Sequence, residues 1–269
     1  MAKSSGKCIF CQRHGNMSKE HFWSDWMAQL FPSEALPAHH EFVSVKSRKI
    51  ISVYENTLTR QGGAITKKLR VVCQTCNNGW MSRLEDDVKP FLTPLIRGEP
   101  IILDLEQQRT LAEWITLKMM VAEFNIPAEV VIPQIDRDAL YLKRIIPSYF
   151  RIWAISSNSE KWRSRYIRHN ATFSLPGTVP TFKTKRNTQT IAWGVGKIFI
   201  YVMMSTAPGL DLIDFINVHP LVPKLFPYTG GTLPLLFIRS IDDAAGDKMA
   251  ATLDDLITSP KVIHFDLPK

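Results

Sequence analysis

The chain has 269 residues, of which 45% are apolar, a proportion that is typical of a packed globular protein and excludes wholesale disorder. Its net charge of +8 favours contact with polyanions, either nucleic acid or an anionic membrane surface. Four cysteines are too few for a disulfide scaffold, and the sequence indicates neither a signal peptide nor a membrane span. We therefore expect a cytoplasmic protein with no membrane partner.

The first third of the chain predicts a small domain of short elements. In chain order we expect a cysteine knuckle within 1–17, a helix over 22–31, a hairpin over 41–54 with its turn near 47–49, a strand over 64–72, and a helix that begins after Cys76. A Gly-Glu-Pro sequence at 98–100 then interrupts the pattern. We therefore predict one domain at 1–98 and a second at 99–269.

The remainder predicts a larger mixed α+β region, so the expected fold class is α+β throughout. We expect helices over 105–124, 136–145 and 242–257, and strands over 149–155, 165–175, 190–195, 198–204, 233–238 and 262–265. Gly196-Lys197 is typical of a hairpin turn. The role of this region stays open between substrate binding, sensing and dimerisation, and a homodimer is one alternative.

Two C-x-x-C pairs supply four thiols, the number that a closed structural zinc site requires. They are Cys8 with Cys11, and Cys73 with Cys76. The interval between the pairs is far longer than in a compact zinc ribbon. Either the pairs are unrelated buried thiols, or a folded hairpin is inserted between the two halves of one Zn²⁺ site, which the paired spacing favours.

A second pattern consists of an acidic-His dipeptide and an asparagine. Glu20-His21 follows the first cysteine pair, and Asn77 directly follows the second. Alone, the dipeptide is typical of a helix-start carboxylate beside a surface histidine, and Asn77 is typical of a helix cap. The acidic run at 85–87 is interpreted as a solvated helix face.

Taken together, these motifs resemble the HNH, or His-Me finger, endonucleases. They are most similar to the phage recombination endonuclease VII type, in which cysteine knuckles bracket an acidic-His pair and an asparagine abuts the last cysteine. The string VVCQTCNNGWMSRLE also resembles a group of bacterial proteins labelled HNH endonucleases. The resemblance covers about 8–90 and implies a zinc-stapled, treble-clef-like ββα-metal finger with an inserted hairpin.

The same resemblance implies an endonuclease that hydrolyses phosphodiester bonds, in DNA more than in RNA. It makes His21 the general base and Glu20 and Asn77 the oxygen ligands of Mg²⁺ or Mn²⁺. Because neighbouring strand residues point to opposite faces, we expect an irregular backbone or a strand end at Glu20-His21. The sequence departs from the family at three points. Glu20 replaces an aspartate, and no histidine follows Asn77 on the helix. For the middle asparagine of the HNH motif, which pins the loop in family members, only Asn56 is available.

A basic stretch interleaved with aromatic residues predicts a nucleic-acid contact. Its cationic members are Lys161, Arg163, Arg165 and Arg168. An edge strand with a basic outer face is the alternative interpretation.

The competing hypothesis for the whole chain is a non-catalytic zinc module that binds nucleic acid or protein. Such a module has no need of the Glu20, His21 and Asn77 set, which therefore discriminates between the two hypotheses. A nuclease toxin or defence effector would share the chemistry and differ only in biology.

Overall fold

The computed structural model describes residues 5–30, 39–40, 42–48, 52–57, 60–61, 68–173, 186–207, 218, 222–235 and 240–258. These residues form a mixed α+β fold, as predicted. The strands are β1 (Ser5–Lys7), β2 (His14–His21), β3 (His39–His40), β4 (Phe42–Arg48), β5 (Ser52–Thr57), β6 (Arg60–Gln61), β7 (Lys68–Cys73), β8 (Ile101–Leu103), β9 (Phe150–Ser157), β10 (Tyr166–Ala171), β11 (Thr188–Val195), β12 (Ile198–Ser205), β13 (Lys224–Phe226), β14 (Leu233–Leu235) and β15 (Ser240–Ile241). The predicted strand over 262–265 lies outside the described residues.

The helices lie close to their predicted positions. They are α1 (Gln74–Cys76), which continues through a π turn (Asn77–Met81) into α2 (Ser82–Arg97), then α3 (Leu105–Ala122), α4 (Gln134–Lys143) and α5 (Asp243–Thr258). A capping box between Asp104 and Gln107 explains why α3 begins where it does. The predicted helix over 22–31 is instead a 3₁₀ helix, Asp25–Leu30. None of the described helices is both long and apolar enough to cross a membrane.

Two sheets organise the molecule. The smaller has the order β1-β2-β7, with β2 antiparallel to both neighbours. The larger has the order β13-β9-β12-β11-β10-β4-β5, with β15 beside β9. The predicted hairpin between the cysteine pairs is present as β4 and β5, and β4 runs parallel to β10. The inserted hairpin therefore extends the large sheet.

The large sheet has an apolar layer on each face, because alternate residues of its strands point in opposite directions. On β12, Ile200 belongs to the core cluster that contains α3, whereas Tyr201 belongs to the cluster that contains α5. The first cluster extends from Cys8 to Leu235 and draws on residues from both sides of residue 98. The predicted boundary at 98 therefore does not separate two hydrophobic cores.

An aromatic group anchors the end of β2 on this core. The Phe22 ring lies 4.6 Å from that of Tyr166 on β10, and Trp23 lies 6.2 Å from Trp193 on β11. Trp193 in turn stacks on Trp114 of α3 at 5.3 Å. The residues that precede Phe22 are thereby held against both the large sheet and α3.

Candidate active site and cysteine cluster

The two cysteine pairs converge on one cluster. All four sulfur atoms lie within 4.8 Å of one another, and the sulfurs of Cys11 and Cys73 are 3.7 Å apart. Four sulfurs at about 2.3 Å from a tetrahedral zinc ion would be separated by about 3.8 Å. The pairs are therefore not unrelated, and their arrangement fits a single metal ion.

Local structure explains how each pair reaches the cluster. Gln12 adopts a left-handed φ of 56° and its backbone N–H donates to the Cys8 carbonyl, which closes the first knuckle. The Cys73 sulfur accepts from the backbone N–H of Cys76 and so caps α1. The predicted cap by Asn77 is wrong, because the helical segment begins three residues earlier and Asn77 lies inside it.

The thiols lie close enough to hydrogen-bond with one another. A hydrogen bond from Cys76 lowers the pKa of Cys8 to about 4, and the same bond raises the pKa of Cys76. Burial raises the pKa of Cys11. A divalent cation would instead stabilise several thiolates at once, which is the chemistry of a zinc–sulfur site.

The Glu20-His21 dipeptide lies at an irregularity of the small sheet. Ser18 pairs with Val72, but Glu20 pairs with Leu69, so β7 carries one extra residue at this point. His21 is also the last residue of β2. The predicted irregular backbone or strand end is confirmed, and both are present.

The three predicted catalytic residues line one cleft of about 410 Å³. Polar and charged side chains dominate its walls, among them Glu20, His21, Asp25, Asn77, Glu85 and Lys89. The cleft is bounded by the end of β2, the 3₁₀ helix and the helical segment that follows the second cysteine pair. Asn56, the candidate middle asparagine, lies on β5 of the large sheet, outside the small sheet.

Asn77 is tied to β2. Its Nδ2 donates to Oγ of Ser18 at 2.7 Å, which leaves Oδ1 as the other end of the amide. Residues Asn77, Met81, Glu85 and Lys89 recur every four positions, so they share one face of the helical segment, and all line the cleft.

Lys118 of α3, which the sequence analysis did not identify, connects two carboxylates of the cleft. Its Nζ lies 2.6 Å from an oxygen of Glu20 and 2.6 Å from an oxygen of Glu85. Burial alone would lower the pKa of Lys118, but the two carboxylates more than offset it and raise the pKa. The signal in the sequence was a lysine within the otherwise apolar stretch of α3.

Glu85 corrects the interpretation of the acidic run at 85–87. Asp86 is exposed and pairs with Lys89, as a solvated face predicts. Glu85 instead pairs with Lys118 and accepts a hydrogen bond from Ser24. Burial opposes the charged form, but these contacts prevail and the pKa of Glu85 lies below its ordinary value. Its position two helical turns after Asn77 was the available signal.

The surroundings of His21 favour its neutral imidazole form over the protonated one. Burial, followed by the nearby charge of Lys68, lowers its pKa, against the opposing effect of Asp25 and Glu20. The carboxylate of Asp25 lies 3.2 Å from Nε2 of His21, yet this nitrogen has no hydrogen-bond partner of good geometry among the described residues. Such a nitrogen can accept a proton at neutral pH.

The cleft residues are less tightly grouped than the cysteines. Among the described residues, the four cysteines are the one group of three or more His, Cys, Asp or Glu side chains whose ligand atoms all lie within 4.8 Å of one another. Any divalent cation in the cleft would therefore have to draw on the amide oxygen of Asn77 and on water as well as on carboxylates.

The basic stretch is not one exposed cationic surface. Arg168 is only 4% exposed and faces Glu129 at 3.7 Å. Lys161 and Arg165 both pair with Asp247 of α5, and Arg163 pairs with Glu160 at 2.7 Å. The edge-strand alternative is wrong, because β10 lies between β11 and β4 with a layer on each face, whereas the nucleic-acid contact stays a prediction.

Comparisons with known proteins identify no relative of this chain. No protein-family model, curated protein or solved structure matches the chain. The cleft and the cysteine cluster are therefore the features from which a function can be inferred.

Proposed function

We propose that the chain is a metal-dependent endonuclease of the HNH type with a zinc-stapled finger. The observation that carries the proposal is that Glu20, His21 and Asn77, from two separate elements, line one polar cleft. The order of antiparallel β2 and β7 followed by a helical segment is also the order that a ββα-metal finger requires. The net charge of +8 suits a polyanionic substrate.

The side chains of the cleft supply the groups that phosphodiester hydrolysis needs. His21, whose pKa is lowered, takes a proton from the attacking water. Glu20 and the Oδ1 atom of Asn77 offer the hard oxygen ligands that Mg²⁺ and Mn²⁺ prefer. Such a cation, when bound, would neutralise charge on the phosphate and on the leaving oxygen.

The cysteine cluster has a structural role in this proposal. Four thiolates complete the coordination sphere of zinc and leave no position for a reacting water. Zinc held by Cys8, Cys11, Cys73 and Cys76 would fix the first knuckle to the end of β7 and the start of α1. The zinc site would thereby attach the segment that carries Asn77 to the sheet that carries His21.

The direct test is incubation of the pure full-length chain with plasmid, linear and branched DNA and with RNA, in Mg²⁺, Mn²⁺ or EDTA. We expect cleavage with at least one divalent cation and none in EDTA. DNA is the expected substrate, and cleavage of RNA alone would retain the chemistry but reverse the substrate. Absence of cleavage under every condition would overturn the proposal.

A non-catalytic zinc module is the second candidate. The observation that favours it is the ion pair between Glu20 and Lys118, which engages one oxygen of the proposed metal ligand. Such a module would bind nucleic acid or a protein partner with zinc present but would leave phosphodiester bonds intact in every assay.

A further inference from the structure

Lys118 is a charged side chain in a fully enclosed position. It is 2% exposed and lies in α3, far along the chain from the small sheet. Its Nζ contacts the Oε1 atom of Glu20 at 2.6 Å and that of Glu85 at 2.6 Å, and it donates to the backbone carbonyl of His21 at 3.3 Å. A lysine ammonium has three N–H donors, and here each has an acceptor.

These contacts restrain two consecutive residues of the cleft at once. Lys118 holds the carboxylate of Glu20 and the carbonyl of His21, so it limits rotation of the dipeptide in both side chain and backbone. Only one oxygen of each carboxylate is engaged by Lys118, and both Glu20 and Glu85 line the cleft. The lysine therefore orients the carboxylates without enclosing them.

Stability alone does not account for a lysine at this position. Desolvation of a buried ion pair can cost more than its attraction returns, and a well-packed apolar replacement of the whole group is often neutral or stabilising. Lys118 lies among apolar neighbours of α3 such as Leu117 and Met119, both of which are buried. The contacts of the charge with Glu20 and His21 are the feature that distinguishes Lys118 from these apolar neighbours.

We propose that Lys118 is a positioning residue of the cleft, which holds Glu20 and His21 in the orientation that catalysis needs. This inference rests on the proposed endonuclease function and deepens it. Its consequence is that α3, beyond residue 98, completes the site.

The test compares Lys118→Met with a matched control, Arg137→Met. Arg137 is equally buried and pairs with Glu123 at 2.6 Å, but it does not line the cleft. At a temperature where both variants are folded, Lys118→Met should lower kcat by roughly 10- to 100-fold with little change in KM, because misplacement of catalytic groups affects the chemical step. Arg137→Met should retain the kcat of the wild type.

A second readout does not depend on cleavage. Backbone amides of residues 18–24 should exchange hydrogen roughly tenfold faster in Lys118→Met than in Arg137→Met, at equal distances below their melting temperatures. If Lys118→Met does not fold, Lys118→Met with Glu85→Gln replaces it, because this pair leaves one fewer unpaired carboxylate and should be more stable. Because Glu85 lines the cleft, Glu85→Gln alone is then the control, and the double variant should show the same fall in kcat relative to it, roughly 10- to 100-fold.

The outcomes separate the two proposals. A wild type that cleaves and a Lys118 variant with unchanged kcat would overturn the positioning role and leave the endonuclease intact. If the wild type cleaves nothing, the endonuclease proposal fails, and the catalytic purpose assigned to Lys118 falls with it. Faster exchange confined to 18–24 would then show only that Lys118 orders the dipeptide, whereas unchanged exchange would remove that role as well.

Discussion

The Nδ2 atom of Asn77 lies 2.7 Å from the Oγ atom of Ser18, and this hydrogen bond joins the π turn to the strand that carries Glu20 and His21. The two residues are adjacent only because β7 returns the chain to β2 before the helical segment begins. With Nδ2 on Ser18, the Oδ1 atom is the end of the Asn77 amide that remains for a ligand.

Ser18→Ala should weaken the response of the enzyme to divalent cations, because the Asn77 amide loses the partner that orients it. We expect the Mn²⁺ concentration for half-maximal cleavage to rise by about tenfold, the lower end of effects seen when such a partner is removed. Thr110→Ala, on the exposed face of α3, is the control. An unchanged Mn²⁺ requirement in Ser18→Ala would show that the bond does not orient a ligand.

His21→Ala should abolish most cleavage and preserve the fold, the zinc content and the binding of nucleic acid. The rate should fall by on the order of 10²–10⁴, the usual contribution of a positioned general base. Single-turnover cleavage, with circular dichroism and metal analysis of the same samples, measures this. A cleavage rate equal to that of the wild type would remove His21 from the mechanism.

Cys73→Ala should be the most damaging cysteine substitution, because Cys73 both joins the cluster and caps α1, and alanine can do neither. Zinc binding is coupled to folding, so we expect an unstable or insoluble protein that has lost its zinc. Metal analysis and thermal unfolding provide the measurement. Full zinc content with an unchanged melting temperature would contradict the shared site.

Charge reversal in the basic stretch should affect stability more than binding. Arg168→Glu places a carboxylate beside Glu129 in the core and should cost about 3–5 kcal/mol of unfolding free energy. The double change of Lys161 and Arg163 to glutamate should leave the slope of log affinity against log salt nearly unchanged, since both side chains already pair with acidic residues. A clearly reduced slope would restore the predicted nucleic-acid contact.

Acid should destabilise the fold through His169. His169 lies on β10 and is buried beneath α5, and this burial lowers its pKa to about 4. The effect of burial prevails although Asp254, whose charge would favour the protonated form, lies 3.2 Å from Nδ1. The unfolded chain binds this proton near pH 6.5 and the folded chain does not, so stability is complete above pH 6.5 and falls as the pH drops towards 4. The loss should reach up to about 3 kcal/mol. In His169→Gln, urea unfolding between pH 7 and 4 should show a flatter dependence on pH.

Local sequence was sufficient to place most elements. The apolar periodicity of α3 and the Gly196 turn between β11 and β12 predicted these elements to within about two residues at each end. The paired cysteine spacing likewise predicted a four-sulfur cluster that the structure contains. These signals are local because helix periodicity, caps and turns depend on neighbours in the chain.

Only the tertiary structure decided which strand and helix faces are buried and which charged side chains form ion pairs. The sequence shows that β10 carries charged residues, but only tertiary packing buries Arg168 and His169. Arg168 contacts Glu123 and Glu129, which follow α3, and His169 lies beside Asp254 of α5. Likewise, spacing from Asn77 could place Glu85 on the cleft face of its helix, but only the packing of α3 shows that its carboxylate pairs with Lys118. A contact between residues that are distant in the chain depends on the packing of whole elements, which the local pattern around either residue does not encode.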